Sequence, residues 1–202
     1  MKAKKTIKQN IGIIILAAGK SARLGTAKQL LNYRGKSLLQ HSIDAALASL
    51  AKEVLVVLGS EKKIIEQELD QSKIEIIENP MWENGMASSI HYGLEGLKNI
   101  LPKADAAIFM VCDQPFVNAN LLNRLIEKYI LTEKYIIACK YAETLGTPTL
   151  FHKSFFRELS NLEGDIGAKS LIIKYSYLLE SINFDLGSID IDTRENYLNL
   201  PK

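Results

Sequence analysis

Residues 11–17 read IGIIILA, with Gly12 the one position that lacks an apolar side chain. A strand that is apolar at odd and even positions alike has no face to offer water, so it must lie between two covering layers. Runs of the same kind return at 54–58, 74–77, 106–111 and 135–139. Between them lie helical patterns. Ser37 opens the first, with Gln40 completing a capping box, and Leu38, Leu39, Ile43, Ala46, Leu47 and Leu50 fall on one face. Further helices are predicted over about 61–69, 87–98 and 121–129. Alternation of this kind predicts an α/β fold with a mostly parallel sheet and helices on both faces.

Beyond Lys140 the rhythm loosens. The stretch GTPTLF reads as a strand, FHKSFFRELSNL as a helix and GDIGAKSLI as a loop leading into a helix, followed by a strand at 178–184 and a short helix at 193–198. No repeat, low-complexity tract or Pro/Gly-rich linker divides the chain, so residues 1–202 are expected to form a single domain, with 1–9 as a flexible leader.

Composition excludes several classes. Apolar residues make up 47%, too many for a disordered chain, and a net charge of +2 does not mark a nucleic-acid binder. Lys2, Lys4, Lys5 and Lys8 before the apolar run imitate a secretory signal. The run is short, however, and cleavage near Ala18 would remove the first strand. No stretch is long enough to cross a membrane. Cys112 and Cys139 sit in apolar runs without metal-ligand spacing, which predicts buried thiols and a cytoplasmic setting.

The chain leaves its first strand through ILAAGKSARLGTAKQLL, residues 15–31. In open α/β sheets, ligands gather outside the carboxyl ends of strands. Gly19 and Gly25 permit close backbone approach or positive φ, and successive N–H groups in such a loop form an anion nest. Arg23 offers a fork for phosphate oxygens and Lys28 a compact charge. The loop is not a Walker A loop, because Ile14 stands where that motif needs glycine. It is not a dinucleotide loop either, because Ala17 replaces the first glycine. A plain surface turn with solvated charges is the bland alternative.

Other segments carry possible chemistry. Asp113 follows AAIFMVC at a strand's carboxyl end, where a carboxylate suits Mg²⁺; a turn-forming Asp is the alternative. Gln114 beside it is neutral and able to hydrogen-bond a substrate. Asp190 and Asp192 share one face if their segment is extended, so either or both could lean on a metal, while Asp192 could instead cap the final helix. Gly85, Ser88 and Ser89 surround a helix start, where N–H groups and hydroxyls suit phosphate or a base edge; serine caps are the alternative. Gly164 and Asp165 precede a short helix, with Asp165 as a possible cap. His41, His91 and His152 are scattered without metal spacing.

The pattern LAAGxSxRxGxxKQLL resembles the signature of nucleotidyltransferases of the molybdenum-cofactor type. The blocks NPMWENGMASSIHYGL (79–94), VCDQP (111–115) and IDIDTRENY (189–197) resemble that family's later blocks in order, and GTPTLF and GDIGAKSLI resemble the molybdenum cofactor cytidylyltransferase branch. The resemblance implies a three-layer α/β/α, Rossmann-like fold similar to nucleotide-diphospho-sugar transferases. It implies transfer of a nucleoside monophosphate from a nucleoside triphosphate to molybdopterin or molybdenum cofactor, a phosphate-bearing pterin, with release of pyrophosphate. Carried over residue by residue, it places Leu16, Ala17, Ala18, Gly19, Ser21, Arg23, Gly25, Lys28, Asn79, Gly85 and Ser88 at the nucleotide, and Gln114, Gly164 and Asp165 at the acceptor. Mg²⁺ falls to Asp113 and Asp192, with Arg23, Lys28 and Asp113 as the catalytic group. Ala18 stands where guanylyl relatives tend to have glycine, which favours CTP. Lys169 stands where the family often has arginine. A molybdenum enzyme is the implied client, with neither nucleic acid nor membrane as partner. Three alternatives are a nucleotidyltransferase for a sugar- or alcohol-phosphate, a non-catalytic carrier of the cofactor and, last, a flavin- or nicotinamide-dependent oxidoreductase, for which a recognisable dinucleotide loop is missing.

Overall fold

The computed structural model describes residues 9–21, 24–165 and 167–201. The lysine-rich leader up to Lys8, and Arg23, lie outside the described residues. The strands are β1 (Ile11–Leu16), β2 (Asn32–Tyr33), β3 (Lys36–Ser37), β4 (Glu53–Leu58), β5 (Glu75–Glu78), β6 (Ala106–Val111), β7 (Ile136–Tyr141), β8 (Thr144–His152) and β9 (Leu179–Asn183). The α-helices are α1 (Leu38–Leu47), α2 (Lys62–Gln67), α3 (Met86–Ile100), α4 (Ala119–Thr132), α5 (Phe156–Ser160), α6 (Lys169–Lys174) and α7 (Arg194–Leu198).

Seven strands form the main sheet in the order β5-β4-β1-β6-β8-β7-β9, while β2 and β3 make a separate small hairpin. Strand β8 runs against both of its neighbours and the others are mutually parallel. The periodicity therefore predicts the sheet correctly as mostly parallel but does not reveal the reversed strand. β8 follows β7 after two residues in the left-handed region, Ala142 and Glu143, a hairpin without the Asn-Gly or Gly-rich signal that normally announces one.

The apolar run of β1 behaves as its composition requires. Ile11, Ile13, Ile15 and Ala17 join one core with Leu39 and Ile43 of α1, Ile65 of α2 and Leu122, Leu125 and Ile126 of α4. Ile14, Leu16 and Ala18 join a second core with Ile90, Leu94 and Leu97 of α3, Leu159 of α5 and Leu171 of α6. Burying one isoleucine of this run contributes about 1.5–3 kcal/mol. Helix α3 lies close on the sheet because Gly93 and Gly96 face it. A Cβ on Gly93 would stand 2.6 Å from Ile14 Cγ2, and one on Gly96 2.5 Å from Ile77 Cδ1.

Some local expectations are corrected. Leu47 and Leu50 are exposed, because α1 stops at Leu47 and Leu50 lies in the turn beyond it. The box at Ser37 is half formed. Ser37 Oγ accepts from Gln40 N at 3.1 Å, but the Gln40 side chain turns to Asp44 Oδ1 at 2.8 Å. A complete box forms instead at α7, between Thr193 and Asn196. Both cysteines are buried.

Candidate active site

Strands β1 and β6 are neighbours with Leu16 opposite Val111. Their carboxyl-end loops therefore leave the sheet at one level, side by side. The chain connections diverge from β1 to either side of the sheet, which opens a crevice at that point.

The loop after β1 is held at both ends. Ala17 N donates to Val57 O at 3.0 Å, and Ala18 O accepts from Ser60 N at 2.9 Å. Gln29 then closes the loop from beneath. It is 2% exposed, and its Nε2 donates to Ala17 O at 2.7 Å and Gly19 O at 3.2 Å. Ser21 Oγ accepts from Lys28 N at 2.8 Å, and Gly25 takes φ +69°, a conformation glycine adopts without strain. Gln29 is the residue the sequence reading passes over. It stands in the KQLL end of the motif, but a glutamine among apolar neighbours announces no chemistry until its partners are known.

The loop after β6 delivers Asp113. Ile191 N donates to Asp113 O at 3.0 Å, stitching the 190–192 segment to it. Ile191 itself is fully buried against Tyr33, Leu38 and Leu200, which turns the flanking Asp190 and Asp192 away from that core. Lys28 Nζ lies 2.6 Å from Asp113 Oδ2 and 2.9 Å from Asp192 Oδ1. Burial alone would push the Lys28 ammonium down, but the charge and hydrogen bonds of Asp113 and the hydrogen bond of Asp192 hold its pKa above the ordinary lysine range. Asp190 goes the opposite way: burial first, then the neighbouring Asp192 and Asp113 charges, raise its carboxyl. Asp192 does not cap α7, since Thr193 takes that place. Burial pushes the Cys112 thiol up to about 12, too high for a nucleophile near neutral pH.

The paired oxygens suit a hard divalent cation. Two carboxylates already converge on one positive charge, leaving other positions to water or phosphate, as Mg²⁺ prefers. Among the described residues no group of three or more His, Cys, Asp or Glu forms a ready metal cage.

Two cavities open beside these loops, one along the exit of β1 and the other along Asp113 and Asp190. The first, about 340 Å³, is lined by Leu16, Ala18, Gly19, Trp82, Ser89 and Asp165 among others. The second, about 480 Å³, includes Asp113, Gln114, Tyr141, Thr147, Lys169 and Asp190. Met86, the first residue of α3, belongs to both walls.

The structure sorts the residues expected at the site. Leu16, Ala18, Gly19 and Gly85 line the first cavity, whereas Ala17 packs in the core beneath it. Asn79 and Ser88 do not line it. Asn79 is 1% exposed, its Nδ2 donates to Ser88 Oγ at 2.8 Å and Ser89 Oγ at 3.0 Å, and its Oδ1 accepts from Met81 N at 2.9 Å. These bonds shape the turn before α3, and Ser89 is the serine that faces the cavity. The three expected acceptor residues are not brought together. Gln114 lies in the second cavity, its Nε2 donating to Gly187 O at 2.8 Å and its Oε1 accepting from Thr147 Oγ1 at 3.1 Å. Gly164 O accepts from Ala87 N at 3.1 Å, and Asp165 stands in the first cavity, while Gly167 and Lys169 reach the second. Asp165 is no cap, because α6 begins after Ala168.

A mostly parallel sheet with a glycine-flexed loop at its divergence point, facing a lysine and paired aspartates, defines an α/β nucleotide-handling enzyme. The sequence pattern of the MobA-like NTP transferase domain matches residues 13–178, and the chain belongs to that family; it is a nucleotidyltransferase. Its fold is that of the nucleotide-diphospho-sugar transferases. Nicotine blue oxidoreductase of Paenarthrobacter nicotinovorans is 27% identical over 93% of this chain and 94% of its own. Purine catabolism protein PucB of Bacillus subtilis is 28% identical over 91% and 92%. Rv0371c of Mycobacterium tuberculosis superposes with a TM-score of 0.81 at 28% identity, covering 94% of this chain and 96% of the other. Its complex with manganese superposes with a TM-score of 0.77 at 26% identity, covering 94% and 97%. Among the described residues no helix is long and apolar enough to cross a membrane.

Proposed function

We propose that this nucleotidyltransferase moves CMP from CTP onto a phosphate-bearing pterin, molybdopterin or the molybdenum cofactor, in a cytoplasmic single-domain enzyme. The observation that carries the reading is the Lys28–Asp113–Asp192 cluster, set where the strand-exit loop and the larger cavity meet. The triphosphate's base and sugar occupy the first cavity, with its phosphates toward Lys28. The acceptor occupies the second, whose lining combines the apolar Phe109, Val111 and Phe151 with Thr147 and Lys169, a mixture that suits a ring system bearing a phosphate.

An acceptor phosphate oxygen attacks the α-phosphorus. The new P–O bond forms as the bond to the β-phosphate oxygen breaks, and pyrophosphate leaves with that electron pair. Both reactants are anions, so the chain's task is holding and neutralising them. Lys28 contributes a charge to the phosphates, and Arg23, by its place in the motif, a second. Asp113 and Asp192 would hold Mg²⁺, which when bound supplies further charge neutralisation on the phosphates. The relative solved with manganese supports a divalent ion in this family. A phosphate nucleophile is already ionised near neutral pH, so no general base is required.

The test is pyrophosphate release by the purified protein with Mg²⁺, each common triphosphate in turn, and molybdopterin. Release with CTP and molybdopterin alone is expected. Turnover with a sugar- or alcohol-phosphate in place of the pterin would redirect the acceptor assignment, and cofactor retention without any release would point to a carrier.

A further inference from the structure

The first cavity holds two carboxylates that phosphate binding does not use. Glu83 and Asp165 stand on its wall with Ser89, alongside Leu16, Ala18 and Gly19 of the strand-exit loop. Asp165 reaches this wall because Gly85 has no side chain. A Cβ there would lie 2.4 Å from Asp165 Oδ1 and 2.7 Å from the Gly164 carbonyl. The same turn is fastened to α3 by the bond from Ala87 N to Gly164 O at 3.1 Å. Backbone and missing side chain together therefore present the carboxylate to the cavity.

A carboxylate repels phosphate, so the Glu83 and Asp165 wall of the cavity disfavours the triphosphate tail, which is drawn instead toward Lys20 of the strand-exit loop and Lys28. An ionised carboxylate accepts hydrogen bonds and cannot donate one. Its complement on a nucleobase is an N–H group. Cytosine carries an exocyclic amino group where uracil carries a carbonyl. A carbonyl set against Asp165 leaves two acceptors facing each other, and such a mismatch at a polar site is penalised more than a missing methyl.

We infer that Asp165 reads the amino group of the base and is the residue by which this cavity prefers cytosine over uracil. The inference rests on the reading of the first cavity as the nucleotide site. It assigns Asp165 to the nucleotide rather than to the acceptor.

Calorimetric titration of the full chain with CTP and with UTP, in Mg²⁺ and without acceptor, tests it. Wild type is expected to bind CTP more tightly by about tenfold to a hundredfold, and Asp165→Asn and Asp165→Ala should each shrink that ratio by about tenfold or more. Because Asp165 is exposed, both variants should melt like wild type. An unchanged ratio in both variants, a ratio lost in Glu83→Gln instead, or equal binding of CTP and UTP by wild type overturns the assignment of Asp165 while leaving the nucleotide site intact. Failure of wild type to bind any triphosphate overturns both.

Discussion

The Lys28 ammonium lies 2.6 Å from one Asp113 oxygen and reaches across to Asp192, 164 positions away in the chain, at 2.9 Å, so a single cation bridges two carboxylates from distant segments. The two carboxylates proposed to hold a metal are thus already engaged with a side chain. Lysine and metal compete for the same oxygens unless phosphate draws the lysine away.

That competition gives the first prediction. Lys28→Gln should lower kcat/KM by about 10²–10³, as loss of one preorganised charge on a transition state does. In the same variant without nucleotide, Mn²⁺ should bind about tenfold more tightly than to wild type, the equivalent of one partly buried ion-pair contact. Electron paramagnetic resonance titration of free Mn²⁺ reads this directly. Weaker metal binding in Lys28→Gln would show that the lysine does not occupy the metal's place.

Asp190 makes a pH-dependent prediction. Asp190 is exposed overall, but partial desolvation of its carboxyl and then its two acidic neighbours raise its pKa in the folded state. The folded protein therefore holds that proton more tightly than the unfolded chain, whose Asp titrates near about 3.9. Ionised Asp190 lowers stability above its folded pKa. The penalty fades as pH falls through that value and is gone below the unfolded one. Asp190→Asn should raise Tm at pH 7 by about 1–2 °C, a screened surface effect, and the gain should vanish toward low pH. A gain that persists unchanged under acid conditions contradicts the electrostatic origin.

Gln29 is the third case. Gln29→Ala removes two hydrogen bonds under the loop after β1 and leaves the Ala17 and Gly19 carbonyls without that donor. A loss of about 1–3 kcal/mol in unfolding free energy is expected from denaturant titration, together with weaker triphosphate binding. Binding at wild-type strength in a destabilised variant would separate loop shape from nucleotide affinity.

The layered fold was legible because β1, β4 and β6 are apolar on both faces and α1, α3 and α4 carry clear apolar stripes. Period and burial have one physical cause, so reading one predicts the other. The direction of β8 was not legible, since a strand's pattern of apolar residues is the same read either way. At the site, the motif positions around Gly19, Lys28 and Asp113 announced themselves by residue type. Asn79 did not reveal that its polar atoms face inward, and Asp165 did not reveal which cavity it joins. Both depend on contacts with Ser88, Ser89 and Gly85 that only the folded chain defines.

The family pattern matches residues 13–178, yet Ile191 plugs into a hydrophobic niche 13 positions later and carries Asp192 with it. A protein trimmed to that span would keep the loop after β1 and Asp113 but leave Lys28 one anionic jaw to close upon. The Lys28 cluster is therefore completed by a segment anchored through one buried isoleucine, so a change at Ile191 would reach the lysine without touching it.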